Sequence, residues 1–407
     1  MKKIFKITLV LIILAVVYSY VLAITSLPDT LILFEGESIK INKIFGLDIN
    51  LKDEKYEAML TSSNIGETSF AEEGKSTLTV SLFNFNIKDI EINVIDKTTV
   101  IPVGEVVGIK MYTKGVLVVG MAEIEGEKPY SSTEIKEGDI ITNVDDEEIE
   151  NTSDLIECIN KSNGKSVEIT YINNGQTKEC NIKPVRSEDG DYKIGLWVRD
   201  SAAGIGTVTL YEPESKNFVA LGHGITDIDT HELINISSGE LVTTKILSII
   251  KGESGTPGKI QGTIENQKNI GTIYKNTSLG IYGKVSQVSN LPLNYSKPLE
   301  IAMRDEIKLG KAKILCNIEN EQGIEEYEIE IVRKFTNNNY DNKSMLIRVT
   351  DERLIEKTGG IVQGMSGSPI IQNGKFVGAV THVIVNNPKE GYAVFGDMLI
   401  KQMKTVQ

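Results

Sequence analysis

Residues 359–382 read GGIVQGMSGSPIIQNGKFVGAVTH, and this stretch decides what kind of fold the chain can adopt. Its first half is rich in glycine, and its second half holds two apolar runs separated by Asn373-Gly374. Asn-Gly between two apolar runs is a strong signal for a β-hairpin. The stretch therefore predicts a tight turn around Ser366, permitted by glycine, that leads directly into two paired strands.

A serine in such a turn has the surroundings that a nucleophile requires. Its hydroxyl needs a nearby imidazole to accept the proton. The oxyanion that forms on attack needs preorganised N–H donors, which a tight turn supplies. We therefore predict Ser366 as the nucleophile and the backbone N–H groups of Gly364 and Ser366 as the oxyanion hole. Ser368 is followed by Pro369 and is expected to be structural.

A second glycine-rich segment supplies the imidazole. Residues 204–211 and 218–221 read as two strands joined by a turn, and His223 follows the second strand. Because this histidine precedes the serine, the order is that of chymotrypsin rather than of the α/β-hydrolases. We predict His223 as the general base, on the first of two β-barrels, with the serine on the second. His231 and His382 are expected to be structural.

The residues alone leave the acidic partner of the histidine open. Asp227 lies four positions after His223, and Asp200 lies before it. A Ser–His pair without any orienting acid is the third alternative.

Composition excludes several other functions. With 43 Lys and Arg against 56 Asp and Glu, the 407-residue chain has a net charge of −13, which disfavours nucleic-acid binding. Three cysteines without a CxxC pair and three histidines without an HExxH motif predict neither a disulfide framework nor a zinc site. We expect no metal and no cofactor.

The N-terminus has the features of an export segment. Lys2, Lys3 and Lys6 precede an apolar run over residues 7–24, and Ala23 is a small residue near its end. Residues 1–23 are therefore expected to be a signal peptide or an N-terminal membrane anchor. The protein is expected to work outside the cytoplasm, either released or anchored. Residues 24–100 follow as a β-rich block without a chemical motif.

Residues 101–186 form the next block. They contain KGVLVV at 114–119 and IKEGDIITNV at 135–144. A short helix with Leu155, Ile156 and Ile159 on one face comes next, followed by a hairpin turn at Asn174-Gly175.

This arrangement resembles a PDZ domain. The resemblance implies that a loop and strand edge bind a peptide C-terminus, or the protein's own N-terminal segment, through backbone N–H groups. The residues that match this peptide-binding loop are Gly115, Val116, Leu117 and Val118.

Residues 187–407 are similar to the stage IV sporulation protein B peptidase family. The matching segments are IGLWVRDS at 194–201, LGHGITD at 221–227 and IVQGMSGSP at 361–369. The order of export segment, β-rich block, PDZ domain and peptidase domain is also that of the family. The resemblance implies a mainly β chain with a chymotrypsin-like double β-barrel, and it implies that Asp351 is the orienting acid. Asp227 is its rival because it lies close to His223 in the sequence.

The family resemblance also implies a biological role. It implies a serine endopeptidase that the forespore secretes into the space between two membranes. There it cleaves a membrane-bound regulatory protein complexed with an intramembrane protease, which triggers processing of the late mother-cell sigma factor. It further implies self-cleavage and control by the PDZ domain. The alternative is a non-catalytic envelope scaffold whose PDZ domain recruits a membrane partner; the intact Ser366, His223 and Gly364 favour the enzyme.

Overall fold

The computed structural model shows a mainly β chain, as predicted. It describes residues 2–25, 27, 29–35, 38–41, 47–51, 66–69, 74–83, 85–95, 98–293, 298–320, 322–335 and 342–404. The first element is helix α1 (Lys2–Thr25), which coincides with the predicted export segment. In the part of the chain that the structure describes, no helix meets the length and hydropathy needed to span a membrane.

The N-terminal block is built from short strands. One sheet contains, in order, β1 (Thr30–Phe34), β6 (Phe85–Ile95), β5 (Gly74–Leu82) and β3 (Leu47–Leu51). Strand β2 (Ser38–Ile41) pairs with β4 (Gly66–Ser69). Much of the predicted block 24–100, including residues 52–65, lies outside the described residues.

Six antiparallel strands close the first barrel. They are β8 (Val106–Met121), β15 (Leu196–Tyr211), β16 (Asn217–Ala220), β17 (Ile236–Ile250), β18 (Lys259–Thr277) and β19 (Gly280–Val285). They pair in the order β8-β17-β18-β19-β16-β15, and β15 closes the ring by pairing with β8. Strands β7 (Thr99–Pro102) and β20 (Leu299–Glu300) extend the sheet beyond β15.

The PDZ-like unit lies between β8 and β15 in the chain. Its elements are β9 (Ile140–Val144), β10 (Glu147–Glu148), α2 (Thr152–Lys161), β11 (Val167–Asn173), β12 (Gln176–Ile182), β13 (Val185–Arg186) and β14 (Tyr192–Lys193), together with a 3-10 turn at Pro129–Ser132. The predicted hairpin is confirmed, because β11 pairs with β12 across Asn174-Gly175, both at positive φ. Helix α2 buries Leu155 and Ile159 as predicted. Ile156 is 54% exposed, contrary to the prediction, because the next residue along a helix points about 100° away.

The PDZ-like unit and the first barrel share two continuous strands. The first half of β8 pairs with the barrel strand β17, whereas Val116 and Leu117 pair with β9 of the PDZ-like unit. Strand β15 follows β8 along almost its whole length. Residues 106–113, at the start of the block predicted to be a PDZ domain, therefore also belong to the sheet of the first barrel. One alternating strand pattern carries no mark of where its pairing partner changes.

The second barrel contains the remaining strands. They are β21 (Gly310–Asn317), β22 (Ile324–Lys334), β23 (Met345–Val349), β24 (Pro369–Gln372), β25 (Lys375–Ile384) and β26 (Asn387–Phe395), closed in the order β21-β22-β23-β26-β25-β24. Helix α3 (Glu352–Thr358) precedes β24, and helix α4 (Gly396–Met403) follows β26. The predicted hairpin at Asn373-Gly374 joins β24 to β25 and is confirmed. The predicted double barrel is also confirmed.

The two barrels pack directly against each other. Val106, Ile246 and Ile260 of the first barrel belong to the same apolar core as Val362 and Met365 of the second. The segments that carry the predicted nucleophile and base therefore meet at the junction between the barrels.

Candidate active site

Ser366 lies on a tight turn between α3 and β24, which we call the nucleophile turn (residues 363–368). Gly364 and Gly367 adopt φ angles of +101° and +98°, a region that favours glycine. A Cβ on Gly367 would lie 2.1 Å from the carbonyl oxygen of Thr207. Glycine is therefore required for the turn to approach the first barrel so closely.

The nucleophile turn presents two free backbone donors. Among the described residues, neither the N–H of Gly364 nor that of Ser366 donates a hydrogen bond. The intervening N–H of Met365 donates to the carbonyl of Val362 at 3.1 Å. The two N–H groups predicted for the oxyanion hole are thus available to a substrate oxygen.

The hydroxyl of Ser366 is directed at the second barrel. Its Oγ donates a hydrogen bond of 2.8 Å to the carbonyl oxygen of Thr381 on β25. Within the described part of the chain, no hydrogen bond joins Ser366 to His223. A rotation of the serine side chain would have to precede any transfer of its proton to the histidine.

His223 follows β16 after a bend at Leu221 and Gly222, which have φ angles of +74° and +69°. Its Nδ1 lies 2.8 Å from the carbonyl oxygen of Gly224. Burial of the imidazole lowers the pKa of His223, and the hydrogen bond to Gly224 opposes this effect. A neutral imidazole is the form that can accept a proton from serine.

Ser366 and His223 line the same cavity, which has a volume of about 410 Å³. Both barrels contribute to its walls, which are mainly apolar. The apolar lining residues are Ile109, Met111, Ala202, Ala203, Ile205, Leu221, Ile225, Ile361, Val362 and Val383, and the polar side chains are those of His223, Gln363, Ser366, Thr381 and His382. The structure therefore brings together the two residues that sequence reasoning selected for catalysis.

His382 is the residue that sequence reasoning missed. Its ring centroid lies 5.0 Å from that of His223, and it lines the same cavity. Its Nδ1 is buried and has no hydrogen-bond partner among the described residues. Burial, assisted by the nearby His223 and Lys343, lowers the pKa of His382 to about 4. The only available signal was its place directly after Thr381 on the strand that follows the nucleophile turn.

The three acidic candidates occupy other positions. Asp351 caps α3 by accepting the N–H of Arg353 at 3.0 Å, and it forms an ion pair with the same arginine. Asp227 is buried and forms an ion pair with Arg199. Asp200 accepts the N–H of Thr152 at 2.8 Å. In the described residues, none of the three carboxylates forms a hydrogen bond or ion pair with His223.

The strand edge predicted to bind a peptide is already paired. Gly115, Val116, Leu117 and Val118 are all buried. Leu117 pairs with Ile140 on one side and with Arg199 on the other, and Val118 pairs with Val198. Residues 196–199 of β15 thus take the antiparallel position that an added peptide strand would occupy.

The same segment also lies along α2. Tyr192 donates its N–H to Asn160 at 2.9 Å, and Asp200 accepts the N–H of Thr152 at the other end of the helix. The side chains of Leu196 and Val198 pack against the apolar core of the PDZ-like unit. Residues 192–200, which we call the groove strand, therefore fill the space between β8 and α2.

Comparison with known proteins assigns the chain to a family. The model of the SpoIVB peptidase S55 family matches residues 190–400, and a PDZ domain model matches residues 104–183. The chain belongs to the SpoIVB peptidase S55 family. It is accordingly a serine endopeptidase with a PDZ domain. No curated protein matches the chain.

Two solved structures are similar to parts of this family member. The PDZ domain of the SdrC-like protein from Listeria monocytogenes shares 23% identity, covering 21% of this chain and 87% of that one, with a TM-score of 0.18. The active form of the Rv3671c protease from M. tuberculosis shares 13% identity, covering 50% of this chain and 74% of that one, with a TM-score of 0.30.

Proposed function

We propose that this serine endopeptidase uses Ser366 as its nucleophile and His223 as its general base. The observation that carries the proposal is the shared cavity, in which both residues lie beside the free N–H groups of Gly364 and Ser366. On attack, the Oγ of Ser366 bonds to the scissile carbonyl carbon while His223 accepts the hydroxyl proton. The two N–H groups then stabilise the oxyanion, and the imidazolium returns its proton to the leaving amine.

Substrate binding can release the hydroxyl of Ser366 from its hydrogen bond to the carbonyl of Thr381. Strand β24 pairs with β25 as far as Ala379, and Val380 exchanges backbone hydrogen bonds with Gly367 and Ser368. Beyond Val380, no strand among the described residues pairs with this edge of β25, which lies beside the cavity. An extended peptide that pairs with this edge brings an N–H group toward the carbonyl of Thr381. That N–H replaces the hydroxyl of Ser366, which then turns toward His223. The apolar walls of the cavity favour a substrate with an apolar side chain next to the cleaved bond.

A paired activity measurement tests this assignment. We expect a fluorophosphonate probe to label the wild-type chain, and Ser366→Ala and His223→Ala to abolish labelling. Ser368→Ala is the matched control, because Ser368 lies two residues away with a buried hydroxyl that has no partner among the described residues. Labelling that persists in Ser366→Ala would show that another residue is the reactive nucleophile. A wild type that reacts with neither the probe nor peptide substrates would favour the scaffold alternative.

The biological substrate that we propose is a membrane-bound regulatory protein associated with an intramembrane protease. Family membership and the sequence of the export segment support this proposal. Cleavage outside the cytoplasm would then trigger processing of the late mother-cell sigma factor. In an endospore-forming host that lacks its own family member, wild type should restore sigma-factor maturation and Ser366→Ala should not. Maturation with Ser366→Ala would refute the proposed role.

We also propose that the chain is exported and trims its own N-terminus. Fractionation of a C-terminally tagged chain should place it outside the cytoplasm, and intact mass should show shortening in wild type but not in Ser366→Ala. Identical shortening of both forms would assign the processing to another peptidase.

Control by the PDZ domain is the last part of the proposal. A peptide can pair with β8 only by displacing the groove strand, and Arg199 of that strand forms an ion pair with Asp227, four residues after His223. The same strand continues into the cavity wall at residues 202–205. Peptide binding at the PDZ domain would therefore disturb the active site and release the resting geometry of Ser366.

A single substitution in the groove strand tests control by the PDZ domain without requiring a known peptide ligand. Val198→Asp places a charge on the face that packs against the PDZ core, and we expect it to increase the labelling rate of Ser366. Trp197→Asp is the matched control, because Trp197 is 66% exposed on the same strand. A labelling rate that is unchanged or lower in Val198→Asp would contradict the proposed control.

A further inference from the structure

Asn276 lies near the end of β18, beside the segment that carries His223. Its Oδ1 accepts the N–H of Ile225 at 2.9 Å. Its Nδ2 donates to the carbonyl oxygens of Ile225 and Ile234 at 2.8 and 2.9 Å. The half-buried amide thus uses both donors and its acceptor on backbone groups, which fixes the path of that segment.

A single peptide unit links Asn276 to His223. The carbonyl of this unit belongs to Gly224 and lies 2.8 Å from Nδ1 of His223. The N–H of the same unit belongs to Ile225 and donates to Asn276. Because a peptide unit is planar, holding its N–H also fixes the direction of its carbonyl.

The carbonyl in turn sets the tautomer of the histidine. A carbonyl oxygen only accepts hydrogen bonds, so Nδ1 of His223 must carry the hydrogen in this contact. In the neutral ring, Nε2 then keeps its lone pair and is the nitrogen that can act as a base. In a serine peptidase triad, a carboxylate accepts the hydrogen bond from Nδ1 and fixes the tautomer in the same way.

We infer that Asn276 is a positioning residue for the general base, acting through the peptide unit between Gly224 and Ile225. The inference rests on the proposed role of His223. The arrangement also requires a residue without a side chain at position 224. A Cβ on Gly224 would lie 2.3 Å from Cδ1 of Leu233 and 2.6 Å from the carbonyl oxygen of Thr277. Among the described residues, the carbonyl of Gly224 is the hydrogen-bond partner of Nδ1 of His223.

The test compares two asparagines of the first barrel in the full-length chain. Asn276→Leu removes two hydrogen bonds with the backbone of Ile225 and one with the backbone of Ile234. Asn290→Leu is the matched control, because half-buried Asn290 also bonds a backbone carbonyl, that of Asn269 at 2.9 Å, away from the active site. We expect Asn276→Leu to slow fluorophosphonate labelling of Ser366 by about tenfold to a hundredfold. Asn290→Leu should leave the rate unchanged.

The pH profile separates positioning from general destabilisation. Without Asn276, the carbonyl of Gly224 is no longer held toward His223, and the hydrogen bond that raises the pKa of His223 is lost. The acidic limb of the labelling rate plotted against pH should therefore move to lower pH, and the plateau rate should fall. Asn276→Asp keeps an acceptor for Ile225 but adds a negative charge, so it should retain more of the rate and move the limb to higher pH. Among the described residues, the titratable group facing His223 is His382, with Lys343 beyond it.

Nitrogen-15 spectra of the His223 ring decide the inference even without activity. Wild type should show hydrogen on Nδ1, and Asn276→Leu should show a mixture of tautomers. A wild type that shows these spectra but does not react with the fluorophosphonate probe would contradict the proposed function, while the effect of Asn276 on the tautomer of His223 would stand. Equal labelling, pH limbs and spectra in Asn276→Leu and Asn290→Leu would overturn the inference and leave the Ser366–His223 assignment intact.

Discussion

The hydroxyl of Thr207 donates a hydrogen bond of 2.6 Å to the carbonyl oxygen of Gly364. The backbone N–H of Thr207 also donates to the carbonyl of Ser366 at 3.1 Å. Thr207 is fully buried on β15 of the first barrel, whereas its two acceptors lie on the nucleophile turn of the second. One residue of the first barrel therefore holds both residues whose N–H groups form the proposed oxyanion hole.

Thr207→Val should reduce kcat/KM for peptide hydrolysis. The substitution keeps the shape and backbone of the side chain but leaves the carbonyl of Gly364 without its donor. We expect kcat/KM to fall by about tenfold, because one hydrogen bond that orients the oxyanion donors is lost. Thr209→Val is the matched control, since Thr209 lies two residues along the same strand, is fully buried, and has no partner for its hydroxyl among the described residues. Equal kinetics of the two variants would show that the Thr207 hydroxyl does not position the turn.

Asp351→Asn should leave kcat/KM nearly unchanged. Asparagine can still cap α3, and the lost ion pair with the exposed Arg353 is worth about 0–1 kcal/mol. Asp351→Ala should instead lower the free energy of unfolding by about 1 kcal/mol, because the cap is removed. Urea unfolding and peptide hydrolysis, measured on both variants, check these expectations. A large loss of activity in Asp351→Asn at unchanged stability would restore Asp351 as the orienting acid that the family resemblance implies.

Local sequence patterns predicted the parts of this fold that depend on local chemistry. Asn174-Gly175 and Asn373-Gly374 both adopt the positive φ angles that a tight hairpin turn requires. The turn at Ser366 depends on Gly364 and Gly367 in the same way. These signals lie within a few residues of one another, so no tertiary information is needed to interpret them.

Long-range pairing was not accessible in the same way. Nothing in residues 106–121 indicates that one strand serves two domains, because strand alternation is identical in both. The contact of His382 with His223 joins the two barrels, and the bonds of Asn276 to Ile225 span 51 positions. Such relationships depend on how the barrels close and pack, which a single sequence does not encode in any short pattern.

Glu105→Gln should stabilise the protein above pH 7. Burial raises the pKa of Glu105 to about 7, although Asn317 donates to its carboxylate at 3.1 Å. The folded state therefore binds this proton more tightly than the unfolded state, so the contribution of Glu105 to stability is lost as pH rises from about 4.5 through 7. The unfolding midpoint of Glu105→Gln, measured relative to that of wild type at the same pH, should therefore rise across this range.

Glu306→Gln provides a control of opposite sign. A hydrogen bond from Lys375 lowers the pKa of Glu306, so its charged form contributes stability at neutral pH. Its substitution should lower the midpoint at pH 7, where Glu105→Gln has no such cost. A parallel response of the two variants would show that burial of Glu105 does not control the pH dependence.

His382→Phe should make the protein more resistant to acid. Burial lowers the pKa of both His382, to about 4, and His223, so the folded state holds both rings neutral. The unfolded chain takes up these protons near pH 6.5, so stability is present above that pH and is lost as pH falls toward 4. Phenylalanine removes one of the two groups and fills a similar volume, so the unfolding midpoint should fall less steeply between pH 6.5 and 4.

His231→Asn is the control, because His231 is exposed and adopts a φ angle of +59° that asparagine tolerates. If His382→Phe and His231→Asn lose stability in acid as steeply as wild type does, protonation of the paired rings in the cavity is not what limits the fold at low pH.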